Sequence, residues 1–326
     1  MKLLKETKMS EDKTILVTGG SGYIGSVTCK LLVDSGYNVI NIDRVKRQQE
    51  GVSQYPFDID NHQLNGVIQL TKPDAVIHLA ADHSVPKSVS APESTYVNNV
   101  ANTINLLKSS VDAGVKHFVF SSTSSIYGIT DSSPSRESDP TAPLTPYGKS
   151  KQMVEEILND FSKAHDFNFA SLRYFNAAGS FEGLGYQLEP KEHLVPIVVN
   201  SVLNDKEFTI NGDDYPTKDG TCYRDYTHVL DIATAHVAAL NYLFDGGNSN
   251  VFNIGGGSTT SIKEVISEVE KQTGKTVNVV VGPKRQGDVP STSADISKAQ
   301  ELLGWSPAYD LESIIQSELE YANNAK

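Results

Sequence analysis

Short runs of β-branched and aliphatic residues recur through the first half of the chain, and longer stretches of helix-forming residues lie between many of them. Such runs are typical of buried strands in a parallel sheet, and they predict strands over residues 14–18, 38–42, 75–80, 117–121 and 169–174. The stretches between them predict helices over residues 23–35, 95–114 and 147–165, with Gly36 capping the first. Because strands that alternate with helices pair in parallel and are covered on both faces, the first ~175 residues predict a doubly wound, Rossmann-like α/β sheet.

The pattern changes after Asn176, where glycine, proline and polar residues dominate as far as residue 219. The later elements are helices predicted over residues 196–203, 230–244 and near 261–273, a strand over 251–254, and two further helices at the C-terminus. The helix at 230–244 and the strand that follows it are expected to return to the sheet. The polar segment between Arg44 and Tyr55 is predicted to be a surface loop.

Two domains are expected from this arrangement. The first is a cofactor-binding domain of residues 1–176, to which residues 228–254 return. The second is a smaller, mixed α/β lobe of residues 177–227 and 255–326 that holds the substrate.

Composition narrows the classes of function. The 326 residues include 28 Lys and Arg against 40 Asp and Glu, for a net charge of −12, and no basic stripe suggests nucleic-acid binding. No apolar run approaches the ~20 residues that span a bilayer, and residues 1–13 do not resemble a secretion signal. The two cysteines, Cys29 and Cys222, exclude a disulfide scaffold, and the histidine spacing suggests no metal site. We therefore expect a cytoplasmic protein with a small-molecule ligand.

A glycine-rich turn follows the first predicted strand and opens the first predicted helix. Gly19, Gly22 and Gly25 allow a tight turn and a close approach of pyrophosphate, which the helix N-terminus attracts. Asp43, 18 residues after Gly25, ends the second strand, where a carboxylate binds the adenosine ribose of NAD and repels the 2′-phosphate of NADP. NAD is therefore the predicted cofactor. NADP is the alternative, because cations follow at Arg44, Lys46 and Arg47.

Tyr147 and Lys151 lie four residues apart on a predicted helix and so share one face of it. A tyrosine is a poor base at neutral pH, but a neighbouring ammonium and a positive nicotinamide favour its phenolate. The serine-rich stretch at residues 121–125 follows a predicted core strand, where a hydroxyl could share the substrate proton with Tyr147.

Six segments of the chain together resemble a known family. They read ILVTGGSGYIGS, FSSTSSIYG, PYGKSK, RYFNAAG, GDDYPTKDGTCYRDYTHVLDIA and KRQGDVP. In these segments the chain resembles the extended short-chain dehydrogenases/reductases, and within them the UDP-glucose 4-epimerase family. The resemblance implies inversion at C4 of a UDP-hexose, such as UDP-galactose, through a transient 4-keto sugar while the UDP part stays bound. It also implies a homodimer that pairs through the helices at residues 95–114 and 147–165.

The resemblance also implies a role for individual residues. Thr123, Tyr147 and Lys151 would be catalytic, with Lys151 also binding the nicotinamide ribose. The cofactor would be bound by Gly19, Gly22, Tyr23, Ile24, Gly25, Asp43, Asp58, Ile59, Leu79, Ala80, Ala81, His83, Asn98, Tyr147, Lys151 and Phe175. The UDP-sugar would be bound by Thr123, Asn176, His193, Leu194, Thr209, Ile210, Asn211, Arg224, Tyr226, Arg285, Asp288 and Thr292, with the two arginines on the diphosphate.

Four of these positions depart from, or vary within, the family. His83 replaces a common lysine, His193 replaces a common asparagine, and Asn211 stands where an aromatic residue often packs near the uracil. Thr292 stands where some members have a bulky tyrosine over the C2 substituent of the sugar. The smaller side chain predicts that the N-acetylated substrates are also accepted.

Two alternatives to a UDP-hexose 4-epimerase are open from the sequence. One is another nucleotide-sugar enzyme of this fold, which would epimerise UDP-pentoses or UDP-uronates or decarboxylate its substrate. The other is a non-catalytic NAD-sensing module, which the intact pair of Tyr147 and Lys151 disfavours.

Overall fold

A computed structural model describes residues 13–129, 133–187, 191–285 and 288–324 of the chain. The N-terminal segment considered above as a secretion signal lies, up to residue 12, outside these residues. The strands are β1 (Thr14–Thr18), β2 (Asn38–Ile42), β3 (Val52–Tyr55), β4 (Ala75–His78), β5 (His117–Ser121), β6 (Asn168–Tyr174), β7 (Asn176–Ala178), β8 (Glu207–Asn211), β9 (Tyr223–Arg224), β10 (Tyr226–His228), β11 (Asn250–Ile254), β12 (Thr260–Ser261), β13 (Asn278–Gly282) and β14 (Ser291–Thr292). The helices are α1 (Tyr23–Asp34), α2 (Gln63–Thr71), α3 (Val85–Ser90), α4 (Pro92–Tyr96), α5 (Asn102–Asp112), α6 (Pro146–Ala164), α7 (Leu194–Leu203), α8 (Val229–Phe244), α9 (Ile262–Thr273), α10 (Ser297–Leu303) and α11 (Leu311–Asn324).

The main sheet of the described chain has seven strands in the order β3-β2-β1-β4-β5-β6-β11. The pairings from β3 to β6 are all parallel, so the first strand lies in the middle and the order reverses beside it. Ile15, Leu16 and Val17 are fully buried, and because successive side chains point to opposite faces, both faces of the sheet are covered. The predicted doubly wound α/β fold is confirmed.

The predicted loop between residues 44 and 55 is wrong over its last four residues, because strand β3 pairs with β2 there. The segment VSQY is polar and half-exposed, as suits a strand at the edge of a sheet, and so lacks the apolar run that marks a buried strand. The side chain of Gln54 accepts a hydrogen bond from Asn41 of β2 at 2.9 Å, which ties the edge strand to its neighbour.

The helix predicted over residues 95–114 is interrupted. Helix α4 is followed by a π-helical turn at Val97–Ala101 and then by α5. Single π-helical turns are rare in proteins, but those that occur are often found at functional sites. This turn contains Asn98, one of the predicted cofactor residues.

The chain divides into two compact units. Of the described residues, unit 1 comprises 13–126, 145–172 and 233–251, and unit 2 comprises those within 127–144, 173–232 and 252–324. The described residues within 127–144, together with 173–176, 228–232 and 252–254, lie in unit 2, although the sequence analysis assigned them to the first domain.

Each unit has its own apolar core. In unit 1, side chains of α2, α5 and α6 pack on the sheet around Phe118 and Phe120. In unit 2, helices α7, α9 and α11 pack with β8 around Val198, Ile210 and Val265. Within the described ranges, no helix is both long and apolar enough to cross a membrane.

Candidate active site

The glycine-rich turn of unit 1 joins β1 to α1 and leaves no room for a Cβ atom at Gly19 or Gly25. Gly19 has φ +77°, and a Cβ atom there would lie 2.6 Å from the Ala80 nitrogen. A Cβ atom on Gly25 would lie 2.1 Å from the Gly19 carbonyl oxygen. Gly22 precedes the helix and, having no side chain, makes no capping hydrogen bond to the first turn of α1. The turn is therefore a cradle that fits a pyrophosphate against bare backbone.

Asp43 directly follows β2 and is held by backbone N–H groups. Its Oδ2 accepts from Ser21 at 3.0 Å and its Oδ1 from Val45 at 2.8 Å. Burial raises the pKa of Asp43, and these two hydrogen bonds and the nearby Arg44 oppose that rise. The fixed carboxylate thus lies beside the glycine turn, as a ribose-binding acid requires.

Several predicted cofactor residues lie directly after β4 or within the segment that precedes α2. The N–H groups of Leu79 and Ala80 both donate to the Thr18 carbonyl at 3.0 Å, which holds this segment against the end of β1. Ile59 is buried, and its N–H donates to the Asp58 side chain at 2.8 Å.

A cavity of about 330 Å³ in unit 1 has Asn98 in its wall, together with Arg44, Asp60, Asp82, Lys87 and Glu93. The neighbouring Asn99, which the sequence analysis missed, is buried and fixes this wall. Its Oδ1 accepts from the Asp82 N–H at 2.7 Å, and its Nδ2 donates to the Asp82 carbonyl at 3.0 Å and to Ser150 Oγ at 3.1 Å.

Tyr147 and Lys151 lie in the first turns of α6. The helix begins at Pro146, and Thr145 caps it by accepting from the Gly148 N–H at 3.3 Å. Lys151 is 2% exposed, and its ammonium donates to the Ser121 carbonyl at 2.7 Å. Burial lowers the pKa of Lys151 to about 7, and the Glu155 carboxylate opposes that shift.

The serine-rich stretch begins at the end of β5. Thr123 Oγ1 accepts from the Ser125 N–H at 3.1 Å, so its own proton is available to another acceptor. Ser121 Oγ lies 2.9 Å from Nε2 of His236, a buried residue of α8 that the sequence analysis did not single out. The same Ser121 therefore contacts both His236 and, through its carbonyl, Lys151.

Several predicted substrate residues of unit 2 surround Arg224. The guanidinium donates to the Tyr223 and Val289 carbonyls at 2.9 and 2.8 Å and lies 3.7 Å from the Asp288 carboxylate. Strand β14 pairs with β9 so that Thr292 is opposite Arg224.

Strand β10 places Tyr226 opposite Asn176 of β7, and Asn176 Nδ2 donates to the Asp225 carbonyl at 3.0 Å. Asp225, which the motif analysis passed over, accepts from the Ala294 and Gly256 N–H groups at 3.1 and 2.5 Å. Burial raises its pKa to about 6. This fully buried carboxylate fixes the backbone between the predicted substrate residues on either side of it.

The remaining predicted substrate residues of unit 2 differ in accessibility. Thr209 is exposed, Asn211 is half-buried, and Ile210 lies in the apolar core, where its side chain cannot meet a ligand. Arg285 is exposed and accepts a backbone hydrogen bond from Asp288 at 3.2 Å.

His193 precedes α7, with Nδ1 3.3 Å from the Ala177 carbonyl and its ring 4.5 Å from that of Tyr186. Leu194 is the first residue of that helix. Phe175 is buried, and its N–H donates to the Ile254 carbonyl at 3.1 Å. Across the described residues, no group of three or more His, Cys, Asp or Glu side chains could hold a metal ion.

Comparison with known proteins gives consistent results. Residues 15–255 match the NAD dependent epimerase/dehydratase family. A UDP-glucose 4-epimerase of Rhizobium meliloti (strain 1021) is 42% identical over 315 residues, which cover 94% of this chain and 96% of that protein. The structure of a UDP-glucose 4-epimerase from Stenotrophomonas maltophila, with bound NAD and formylated UDP-arabinopyranose, has a TM-score of 0.92 at 35% identity and covers 96% of this chain and 99% of that one. The structure of a UDP-Glc/GlcNAc 4-epimerase from Campylobacter jejuni has a TM-score of 0.84 at 37% identity and covers 96% of this chain and 100% of that one.

Proposed function

The chain belongs to the NAD dependent epimerase/dehydratase family, and on that premise we propose which of its residues carry out the reaction. The protein is an NAD-dependent enzyme that epimerises C4 of a UDP-hexose, as its motifs predicted. The observation on which the assignment of roles rests is the buried pair on α6, where Tyr147 and Lys151 lie one helical turn apart and the Lys151 ammonium contacts the end of β5 at 2.7 Å.

The glycine cradle of unit 1 and the fixed carboxylate of Asp43 fit NAD. We assign the pyrophosphate to the backbone of residues 19–25 and the adenosine ribose to Asp43. When bound, NAD supplies the acceptor and donor of the C4 hydride. The protein's own residues must then hold the sugar and move one proton at the C4 oxygen.

Tyr147 is the proposed acid and base at the C4 oxygen. As phenolate it takes the hydroxyl proton, and as phenol it returns the proton once the other face of the ring is presented. The positive Lys151 side chain favours the phenolate. Thr123 is the proposed partner, since its oxygen already accepts from Ser125 and its proton can be donated to the substrate oxygen.

Arg224 and Arg285 are the proposed diphosphate ligands in unit 2, with Asp288 and Tyr226 beside the nucleotide. Planar guanidinium groups suit phosphate oxygens, and Arg224 is already oriented by two carbonyl groups. The nucleotide must be held more firmly than the sugar, because the sugar has to turn while the UDP stays in place. The small side chain of Thr292 is proposed to leave room for an N-acetyl group at C2.

A homodimer and a cytoplasmic location are further proposals. Three apolar side chains of the helices expected at the dimer interface are exposed, namely Val97, Ile104 and Met153. Exposed apolar side chains on such neighbouring helices support a protein–protein contact.

The assignment of Tyr147 is tested by incubating the purified holoenzyme with UDP-galactose and no added cofactor, and measuring UDP-glucose. Tyr147→Phe is expected to lower the rate by about 10²–10⁴-fold, the usual contribution of a general acid–base group. Tyr242→Phe is the matched control, because it removes the same hydroxyl from a surface hydrogen bond to the Asn248 carbonyl. A Tyr147→Phe enzyme that turns over at the rate of this control would overturn the assignment.

A further inference from the structure

The Lys151 side chain is a charged group in a place that disfavours charge. Its side chain is almost fully buried, and the groups against its ammonium include the Ser121 carbonyl and the face of the Phe120 ring at 4.7 Å, neither of which carries a net charge. Burial alone pushes a lysine towards the neutral amine. A neutral amine could not stabilise the phenolate of Tyr147, so the role proposed for Lys151 requires a source of negative charge nearby.

Glu155 supplies that charge from the same helix. It lies one turn after Lys151 on α6, is 8% exposed, and acts on Lys151 as an opposite charge that favours the ammonium. A buried carboxylate is itself costly unless it is paired and hydrogen-bonded. The Glu155 carboxylate therefore needs a hydrogen-bond donor in addition to the positive charge of Lys151.

Ser171 provides this contact. Its Oγ donates to Glu155 Oε1 at 2.9 Å, and Ser171 itself is fully buried in β6, opposite Phe120 of β5. The carboxylate of Glu155 is thus attached to the central sheet at the level of the residue whose ring packs against the Lys151 ammonium.

The other titratable groups near Lys151 do not take this role. His78 is buried at the end of β4, and burial and Lys151 lower its pKa to about 3, so it is neutral at physiological pH. His236 of α8 contacts Ser121, whose carbonyl accepts from Lys151, and Tyr147 is the group to be activated. Among the described residues, the carboxylate that acts on Lys151 is that of Glu155.

We propose that Glu155 is a positioning residue whose buried carboxylate, fixed by Ser171, keeps the Lys151 side chain charged. This inference rests on the role proposed above for Lys151. It gives a group of four side chains, three on α6 and Ser171 on β6, in which Tyr147 and Lys151 contact the ligands while Glu155 and Ser171 act through Lys151.

The consequence is a specific change in the pH profile. The reaction needs Lys151 protonated, so the rate falls as the pH rises through the pKa of Lys151. Removing the charge of Glu155 lowers that pKa, and the alkaline limb of the profile must move to lower pH. A purely structural role for Glu155 would reduce stability but leave the limb where it is.

Glu155→Gln is the first test, because glutamine keeps the size and the acceptor oxygen for Ser171. The rate of the holoenzyme is measured from pH 5 to pH 9 with saturating UDP-galactose, alongside the melting temperature. We expect the alkaline limb to move down by about one pH unit, with an about tenfold lower rate beyond it. Glu156→Gln is the matched control, since it makes the same charge change at the next, exposed position and should leave the limb unmoved.

Two further variants keep the test decisive. Ser171→Ala releases the carboxylate without removing it and should move the limb in the same direction by a smaller amount, so it replaces Glu155→Gln should that variant fail to fold. Lys151→Met in the same assay tests the underlying role. A Lys151→Met enzyme with wild-type activity would overturn the role of Lys151. If Lys151→Met is inactive but a folded Glu155→Gln enzyme keeps the alkaline limb of the wild type, only the inference on Glu155 is overturned.

Discussion

Glu318 of α11 lies in the apolar core of unit 2, and we expect it to make stability depend on pH. The side chain is 2% exposed, and its Oε2 has no hydrogen-bond partner among the described residues. Burial raises the pKa of Glu318 from 4.5 to about 7, and the positive charge of Lys191 opposes this rise only in part. The folded protein therefore holds a proton here that the unfolded chain releases above pH 4.5.

The sign and the size of this pH dependence of the stability follow from proton linkage. The folded state binds the extra proton between pH 4.5 and about 7, so its stability falls as the pH rises through this window and stays low above it. Each pKa unit corresponds to about 1.4 kcal/mol, so between pH 5 and pH 8 this one group removes roughly 2–3 kcal/mol of stability. In a chain of this size, that is a change in melting temperature of roughly 5 °C.

Glu318→Gln removes the titration and keeps the volume. Its melting temperature relative to the wild type should be about 5 °C higher at pH 8 than at pH 5, because a buried amide costs the same at both values. Calorimetry at the two pH values measures this difference. Glu320→Gln, exposed on the same helix, should show the same difference from wild type at both pH values. The reasoning is refuted if the melting temperature of Glu318→Gln also differs from that of the wild type by the same amount at pH 5 and pH 8.

Two further predictions concern the ligands. Gly25→Ala should release the cofactor and lower activity at least tenfold, because its Cβ atom would lie 2.1 Å from the Gly19 carbonyl oxygen. Gly66→Ala in α2 is the control and should leave activity unchanged, because its Cβ atom would have nothing within 4 Å. Both variants are assayed for the NAD that stays bound through gel filtration and for the rate without added cofactor. Thr292→Tyr should lower activity with UDP-N-acetylglucosamine relative to UDP-glucose by tenfold or more, and an unchanged ratio of the two activities would show that residue 292 does not set this preference.

The sequence predicted the parts of the fold that local patterns determine. Strands β1, β2 and β5 begin and end where the apolar runs do, because a strand buried on both faces is a continuous apolar segment. The polar edge strand β3 has no such run and depends on its pairing with β2. The π-helical turn around Asn98 likewise cannot be predicted from the periodicity, and Asn99 within it bonds to Asp82 and Ser150, which are distant in the sequence.

The same division holds for the site. The placement of Tyr147 and Lys151 one turn apart on a single helix could be predicted from the chain alone, because their spacing is local. His236 and Asp225 could not, because His236 meets Ser121 from 115 positions away and Asp225 meets Ala294 from 69 positions away. Ile210 was expected to hold the base chiefly through its backbone, and the burial of its side chain in the core of unit 2 leaves that role a prediction.

The buried residues behind Lys151 matter because this reaction returns to its starting state of protonation. One tyrosine must take a proton from the substrate oxygen and later give it back, so its affinity for the proton has to suit both directions. A charge fixed in a low-dielectric interior sets that affinity more firmly than one in water, and it needs no rearrangement at the moment of reaction. On the proposed roles, Lys151 and Glu155 are such charges, and hydrogen bonds from Lys151 to the Ser121 carbonyl and from Ser171 to Glu155 hold them in place. We therefore expect the reversibility of the chemistry to depend on side chains that do not touch the sugar.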